Sequence, residues 1–371
     1  MQFIIKRDIL LRSLNFVQGI VEKKNTLPIL SNVLLELKNN KLSIVATDLD
    51  IIFYDEISEV KTLKEGSTTT SAAILYDILR KISSDSELNF HLKSENKLSL
   101  KSDNSDFNLL CLPIDNFPSF ADEFEDQEIL LNKARFLKLL DKTKIAISND
   151  DTRHYLNGIF LHLTEAHGRN FLTGVATDSH RLSSSSFEVE NASSFTSIIL
   201  PRKAVFQLCS LLSETNEKLT MQSSENKIKF TLGNIKLISK VIDGKFPDYK
   251  KVVPVGNNKS LSVISKDFID SIERVITVSI DRKEGVKLAI SKENVQLSVN
   301  SANSGEGNEI IKANFNSDPI NISFNSKYLL DIASVVEDKN LKMNFKDSVS
   351  PVLIEDASDK NSYYVIMPMK I

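Results

Sequence analysis

Apolar residues recur three and four apart in IIKRDILLRSLNFVQGIV (4–21), and that spacing predicts an amphipathic helix. The same grammar returns at LNKARFLKLLDKTKIAIS (131–148) and VISKDFIDSIERVITVSI (263–280), whose starts lie 127 and 132 residues further along in turn. Behind each helix the period changes from 3.6 to two. NVLLELKNNKLSIVATDLDI (32–51) reads as two strands about an Asn39-Asn40 turn, followed in the later copies by GIFLHLTEAHGRNFLTGVATDSHRL (158–182) and GVKLAISKENVQLSVNSAN (285–303). The tripeptide Ala-Thr-Asp closes the second strand at 46–48 and again at 176–178.

The second half of each unit repeats as well. TTTSAAILYDILRKI (68–82), SIILPRKAVFQLCSLL (197–212) and INISFNSKYLLDIASVV (320–336) each predict a strand running into a helix, with two or more strands after it. PIDNFPSF (113–120) and IDGKFPDY (242–249) close the first two units, Phe-Pro marking the exit from a strand. The chain is therefore expected to be α+β, three copies of one unit of about 120 residues, with boundaries at 1–121, 122–250 and 251–371. The terminal YYVIMPMKI becomes the last strand of the third copy. Burial in a sheet explains an apolar end, and the residues alone leave open whether a partner also uses it.

Composition narrows the class. Of 371 residues, 41% are hydrophobic and 26% charged, as in globular proteins with a substantial core. No apolar run approaches the roughly 20 residues of a bilayer span, and Lys6-Arg7 interrupts the N-terminal apolar stretch, so the expectation is a cytoplasmic protein with no membrane partner. Cys111 and Cys209 sit in apolar stretches and read as core thiols. The net charge of −3 hides a segregation: the six helical stretches sum to about +8, leaving about −11 for strands and loops. Solvated helix faces would explain any single helix, but a repeated excess also suits a polyanion.

Catalytic signatures are absent from the sequence. It has no phosphate loop, dinucleotide fingerprint or nucleophile elbow, and the Gly-x-Gly of GEGNE (305–309) reads as a turn in a polar loop. The five histidines have no metal-ligand spacing, and Asp178-Ser179-His180-Arg181 lacks the converging partners and oxyanion donor of a hydrolase. Neither an enzyme nor a cofactor is expected.

With the triplication, NTLPILSNVLLEL (25–37), RHYLNGIFL (153–161), VATDSHRLS (175–183), LPRKAVFQL (200–208), KVIDGKFPDYKKVVP (240–254) and YYVIMPMKI together, the chain resembles the β subunit of bacterial DNA polymerase III, the sliding-clamp family, from Met1 to Ile371. The resemblance implies three clamp domains with helices on one side and antiparallel sheets on the other, in a head-to-tail homodimeric ring around duplex DNA. Its expected role is a non-catalytic processivity factor, with the clamp loader and the replicative and repair polymerases as further partners. It also implies sequence-independent DNA contacts at Lys24, Arg80, Arg153, His154, Tyr155, Arg202 and Arg274. Lys24 stands where arginine is common in the family, and Asp150-Asp151 makes its loop more acidic than the family pattern.

A partner-peptide pocket is implied at Leu156, Thr177, Ser179, His180, Arg181, Leu182, Pro247, Lys251, Val252, Val349, Pro351, Val365, Ile366, Met367, Pro368 and Met369. Methionines suit a site shared by several partners, because an unbranched polarizable side chain repacks around different anchors. The dimer contact is implied between Phe107 and Leu109 of one chain and Thr277 and Val278 of another. Asp103 and Asp106 replace the usual basic residues there, and only Glu306 and Glu309 stand opposite, so apolar strand contacts are expected to dominate. The competing reading is a monomeric three-domain scaffold that binds peptide partners without encircling DNA.

Overall fold

Each leading helix starts later than its apolar periodicity. In the computed structural model, which describes all residues except 23–25, 104, 121–123, 125–127, 191–194, 280–284, 303 and 370–371, a strand precedes every one. Gln2–Lys6 runs into helix α1 (Arg7–Gln18) and, after α2 (Ala72–Lys81), Ile129–Leu131 into α3 (Lys133–Lys144). Following α4 (Arg202–Glu214), Lys259–Ile264 runs into α5 (Ser265–Val275), and α6 (Ser326–Val335) is the last helix. The helices expected over 4–21, 131–148 and 263–280 are thus shortened. In the first, buried Phe3 and Ile5 of the strand pass into buried Leu10 and Leu14 of the helix, so two periods merge into one apolar run.

Five of the six helices among the described residues begin within two residues of a lysine or arginine, where a cation opposes the helix dipole. Several of these cations instead reach a carbonyl at the far end of a neighbouring helix. Arg7 Nε donates to Leu79 O (2.7 Å), Lys133 Nζ to Thr215 O, and Lys203 Nζ to Ile20 O (2.8 Å). Ser265 Oγ makes the corresponding bond to Asp338 O (3.0 Å) in the third copy. Much of the helical charge excess is therefore spent inside the chain. Lys142 is only 2% exposed and lies 2.8 Å from Asp356 and 2.9 Å from Asp359, while Lys138 meets Glu337 at 2.7 Å.

The repeated Ala-Thr-Asp is a turn device. Thr47 Oγ1 donates to Ile51 O (2.8 Å), Asp48 Oδ1 accepts from the Asp50 and Ile51 amides, and Leu49 takes φ 80°. Thr177, Asp178 and Ser179 (φ 77°) repeat it, with Thr177 Oγ1 on Arg181 O (2.7 Å) and Asp178 Oδ1 on the His180 and Arg181 amides. Asn39 and Asn40 form the left-handed hairpin turn expected of them, at φ 52° and 58°.

The chain divides into two compact units, one of residues 1–134, 190–196 and 203–241, the other of 135–189, 197–202 and 242–371. The central repeat is split because each half shares a sheet with a neighbour. In the first unit Ile235–Lys240 pairs with Ile51–Ile57 inside a 13-stranded sheet. In the second, Arg181–Glu188 pairs with Ser362–Ile366 inside a nine-stranded sheet. The same rule, last strand of one copy against fourth strand of its predecessor, leaves two strands over. Ser105–Leu112 has a second neighbour only at Cys111 and Leu112, and Gly305–Lys312 is the edge of a four-stranded sheet. GEGNE is thus strand rather than turn: a Cβ at Gly307 would stand 2.8 Å from Val275 O, so the glycine admits the end of α5 against an extended backbone.

Candidate functional site

A cleft of about 630 Å³ opens in the second unit. Five segments wall it: the turn Asp151–Leu156, the Thr177–Leu182 turn, the stretch around Tyr249–Val252, the loop 346–351, and the terminal strand Ser362–Ile366 with Met367 beyond it. Its floor is set by core packing, since Leu156, Leu182 and Val365 are buried in one cluster with Val175, Ile199, Phe246 and Tyr249. Pro247, Lys251, Val252 and Pro351 complete the expected lining.

Strand alternation decides what the tail presents. Val365 and Met367 reach the cleft, whereas Ile366 is fully buried in the C-terminal core beside Tyr364. Ile366 is therefore removed from the expected pocket set. The tail is both things the sequence left open: a sheet strand as far as Ile366, then half-exposed Met367 and Met369. Pro368, which has no amide to donate, separates Met367 N on His180 O (2.8 Å) from Met369 N on Ser323 O (2.7 Å). Val349, Pro368 and Met369 lie outside the lining proper, with Val349 exposed.

The Thr177–Leu182 turn is held rigidly. The buried Arg181 guanidinium bonds Asp178 Oδ2 (3.0 Å) and Asp331 Oδ2 (2.6 Å) and lies 4.3 Å from the Tyr328 ring centroid. His180 stacks on the same ring with centroids 6.3 Å apart. Arg181 is thus committed to orienting the turn rather than to a ligand charge, and Ser179 Oγ accepts from Arg153 Nη1 (2.5 Å).

Of the expected DNA residues, three gather here. Arg153 ties Asp150 (2.9 Å) to Ser179, His154 Nε2 donates to Asp243 O (3.1 Å), and Tyr155 lines the cleft. Sequence reasoning also missed Asp248, Tyr249, Val253, Pro254, Val255, Asn257, Lys346 and Ser350 of the lining. The signal was present in KKVVPV (250–255), an apolar run outside any strand, where Val255 is 87% exposed.

The other charges lie elsewhere. Arg80, at the end of α2, is exposed, 5.5 Å from the Tyr76 ring centroid and 4.0 Å from Asp77. Arg202 is exposed in the first turn of α4, and its amide donates to Asn157 O (3.0 Å). Arg274 grips Glu309 with two nitrogens, and that bond raises its pKa further. Lys24 lies outside the described residues.

Beside the open strand Ser105–Leu112, a groove of about 880 Å³ is bordered by Ile74, Ile78, Arg80, Ile82 and half-buried Phe107. Leu109 is buried within its own chain, whereas its neighbour Leu110 is 83% exposed. Thr277 is exposed and Val278 half-buried in the turn Ile276–Val278 after α5, near the strand Gly305–Lys312 with exposed Ile310.

Comparison with known proteins gives one answer along the whole chain. Residues 1–121, 130–248 and 250–370 match the N-terminal, central and C-terminal domain profiles of the DNA polymerase III beta subunit. The beta sliding clamp of Caulobacter vibrioides is 35% identical over 374 residues and that of Escherichia coli K12 33% over 371, each pairing 100% of both chains. Among solved structures, a sliding clamp from Bartonella birtlesii bound to griselimycin has TM-score 0.96 at 38% identity, and one from Pseudomonas aeruginosa, also bound to griselimycin, 0.93 at 31%; both alignments cover 100% of each chain.

Proposed function

The chain belongs to the DNA polymerase III beta subunit family and is a DNA sliding clamp of three clamp domains, and from that premise we propose how its parts divide the work. Its repeats at 1–121, 122–250 and 251–371 act as three domains, and two chains close head to tail. The observation that carries this is the pair of leftover strands. Two junctions within the chain pair a last strand with the fourth strand of the preceding copy. Ser105–Leu112 of one chain and Gly305–Lys312 of another then make the third junction, with Leu110 and Ile310 as apolar contacts and Phe107, Thr277 and Val278 beside them. The helices agree. Lys203 of α4 reaches the end of α1 and Lys138 of α3 meets Glu337 after α6, which leaves α5 to meet α2 of the second chain.

Duplex DNA is held by topology, with Arg80, Arg202, Arg274 and Lys24 as phosphate contacts. Because so many helical cations are paired internally, the remaining attraction is weak and sequence-blind, which permits sliding. The cleft receives a short peptide carrying apolar anchors, presented in turn by polymerases, the clamp loader and repair proteins of the cytoplasm. No helix among the described residues is long and apolar enough to cross a membrane. The chain does no chemistry of its own.

Light scattering on the full chain at micromolar concentration tests the assembly. The expected mass is twice the 41.6 kDa of one chain, falling to one for Leu110→Asp. A monomeric wild type would favour the scaffold reading.

A further inference from the structure

His162 lies directly behind the cleft, on the strand Gly158–Ala166, and is 8% exposed. Its Nδ1 is 3.1 Å from Leu163 O and its Nε2 3.0 Å from the Tyr249 hydroxyl. A carbonyl can only accept, so Nδ1 carries the proton; in the neutral ring Nε2 is then an acceptor and Tyr249 the donor. Aromatic stacking fixes the ring, with Phe160 between His162 (4.7 Å) and Phe246 (5.0 Å, 8° from parallel). Tyr249 itself lines the cleft and opens the turn Tyr249–Val252, whose Lys251 and Val252 stand on the wall.

We propose that His162 is a positioning residue of the cleft: as a neutral imidazole it holds Tyr249, and through Tyr249 the turn 249–252, in the geometry that receives a peptide. The inference rests on the cleft being the peptide site. A second proton on Nε2 would turn the acceptor into a donor, force the Tyr249 hydroxyl to find another acceptor, and bury a cation beside Lys250. Lys250 and Tyr249 are the ionisable groups facing the ring from the turn; Thr173, opposite it on the neighbouring strand, and Phe160 are uncharged. Burial pushes His162 below the usual histidine range, the Leu163 carbonyl draws it back up, and Lys250 lowers it again. The wall is therefore intact above about pH 6.5 and is lost as pH falls from there through the lowered value.

The test is the affinity of a fluorescent Gln-Leu-Ser-Leu-Phe peptide for the full chain from about pH 8 to about pH 5, measured by anisotropy for wild type, His162→Gln and Tyr249→Phe, with circular dichroism following the fold. Wild type should weaken by about tenfold as the pH falls, the scale of one buried hydrogen bond. Gln places an uncharged acceptor where Nε2 was. His162→Gln should bind within about threefold of wild type at high pH and lose most of the pH dependence. Tyr249→Phe should bind more weakly at high pH and also be flatter. A His162→Gln profile as steep as that of wild type, or a flat wild-type profile, overturns the inference. No binding by wild type at any pH would instead remove the peptide reading of the cleft, and this inference with it.

Discussion

Replacing Lys142 by alanine should destabilise the second unit by about 3 kcal/mol. The ammonium is 2% exposed and sits between Asp356 Oδ2 (2.8 Å) and Asp359 Oδ2 (2.9 Å), with Glu337 at 3.9 Å. Breaking a buried pair from one side costs roughly 3–5 kcal/mol, because the abandoned charge stays buried. The lower end applies here. Asp359 keeps Lys138 at 3.2 Å, and Asp356 keeps the Glu337 and Ser358 amides. Against a urea slope of about 3 kcal/mol per M, the midpoint followed by circular dichroism should fall by about 1 M.

Acid gives a second readout. Burial alone would raise the Asp356 carboxyl, but the Glu337 amide, Lys142 and Ser358 outweigh it and hold it at about 2. A depressed carboxylate stabilises above its unfolded value near 3.8 and loses that contribution as pH falls through about 2. Without Lys142 the carboxyl lies closer to its unfolded value, so the window narrows from below and the acid-dependent loss should be smaller. A Lys142→Ala midpoint within about 0.3 M of wild type would refute the account of this junction.

Three further expectations follow from the same geometry. Gly158→Ala would bring a Cβ to 2.2 Å from Leu200 O, where the strands Gly158–Ala166 and Ile198–Pro201 pair, and should cost about 1–3 kcal/mol in urea unfolding. The dimer mass should not change between about 0.1 and 0.5 M salt, because Asp106 is already 3.2 Å from Lys101 and Glu309 is held by Arg274 within one chain; dissociation over that range would contradict it. Arg80→Ala with Arg202→Ala should flatten the salt dependence of binding to short linear duplex by about 1–2 in log–log slope, and an unchanged slope would remove both from the DNA contacts.

What the sequence made legible followed from period and repetition. The three copies, the Asn39-Asn40 turn and the buried cysteines could be read because each depends on local pattern. The leading strands could not, since an apolar strand running straight into an amphipathic helix has no polar break. Charge counting misjudged the helices for a different reason. Lys142, Lys138 and Lys203 look like solvent-facing cations, and their partners Asp356, Glu337 and Asp48 are more than 150 residues away along the chain. At the cleft, the resemblance brought most of the lining into view, while strand alternation at Ile366 and the long reach from Tyr249 to His162 needed coordinates.

The central claim, that the end of the chain forms a partner site, is tested most directly by removing it. The full chain and a version ending at Ile366 keep the same paired strand, because Ser362–Ile366 lies between Arg181–Glu188 and Val352–Glu355. Titrated against the labelled Gln-Leu-Ser-Leu-Phe peptide by fluorescence anisotropy, the full chain should bind saturably and the shortened chain at least about tenfold more weakly, the scale of losing one buried methionine contact. Equal affinity in two equally folded chains would show that Met367 and Met369 do no binding, and the tail would be a core strand alone.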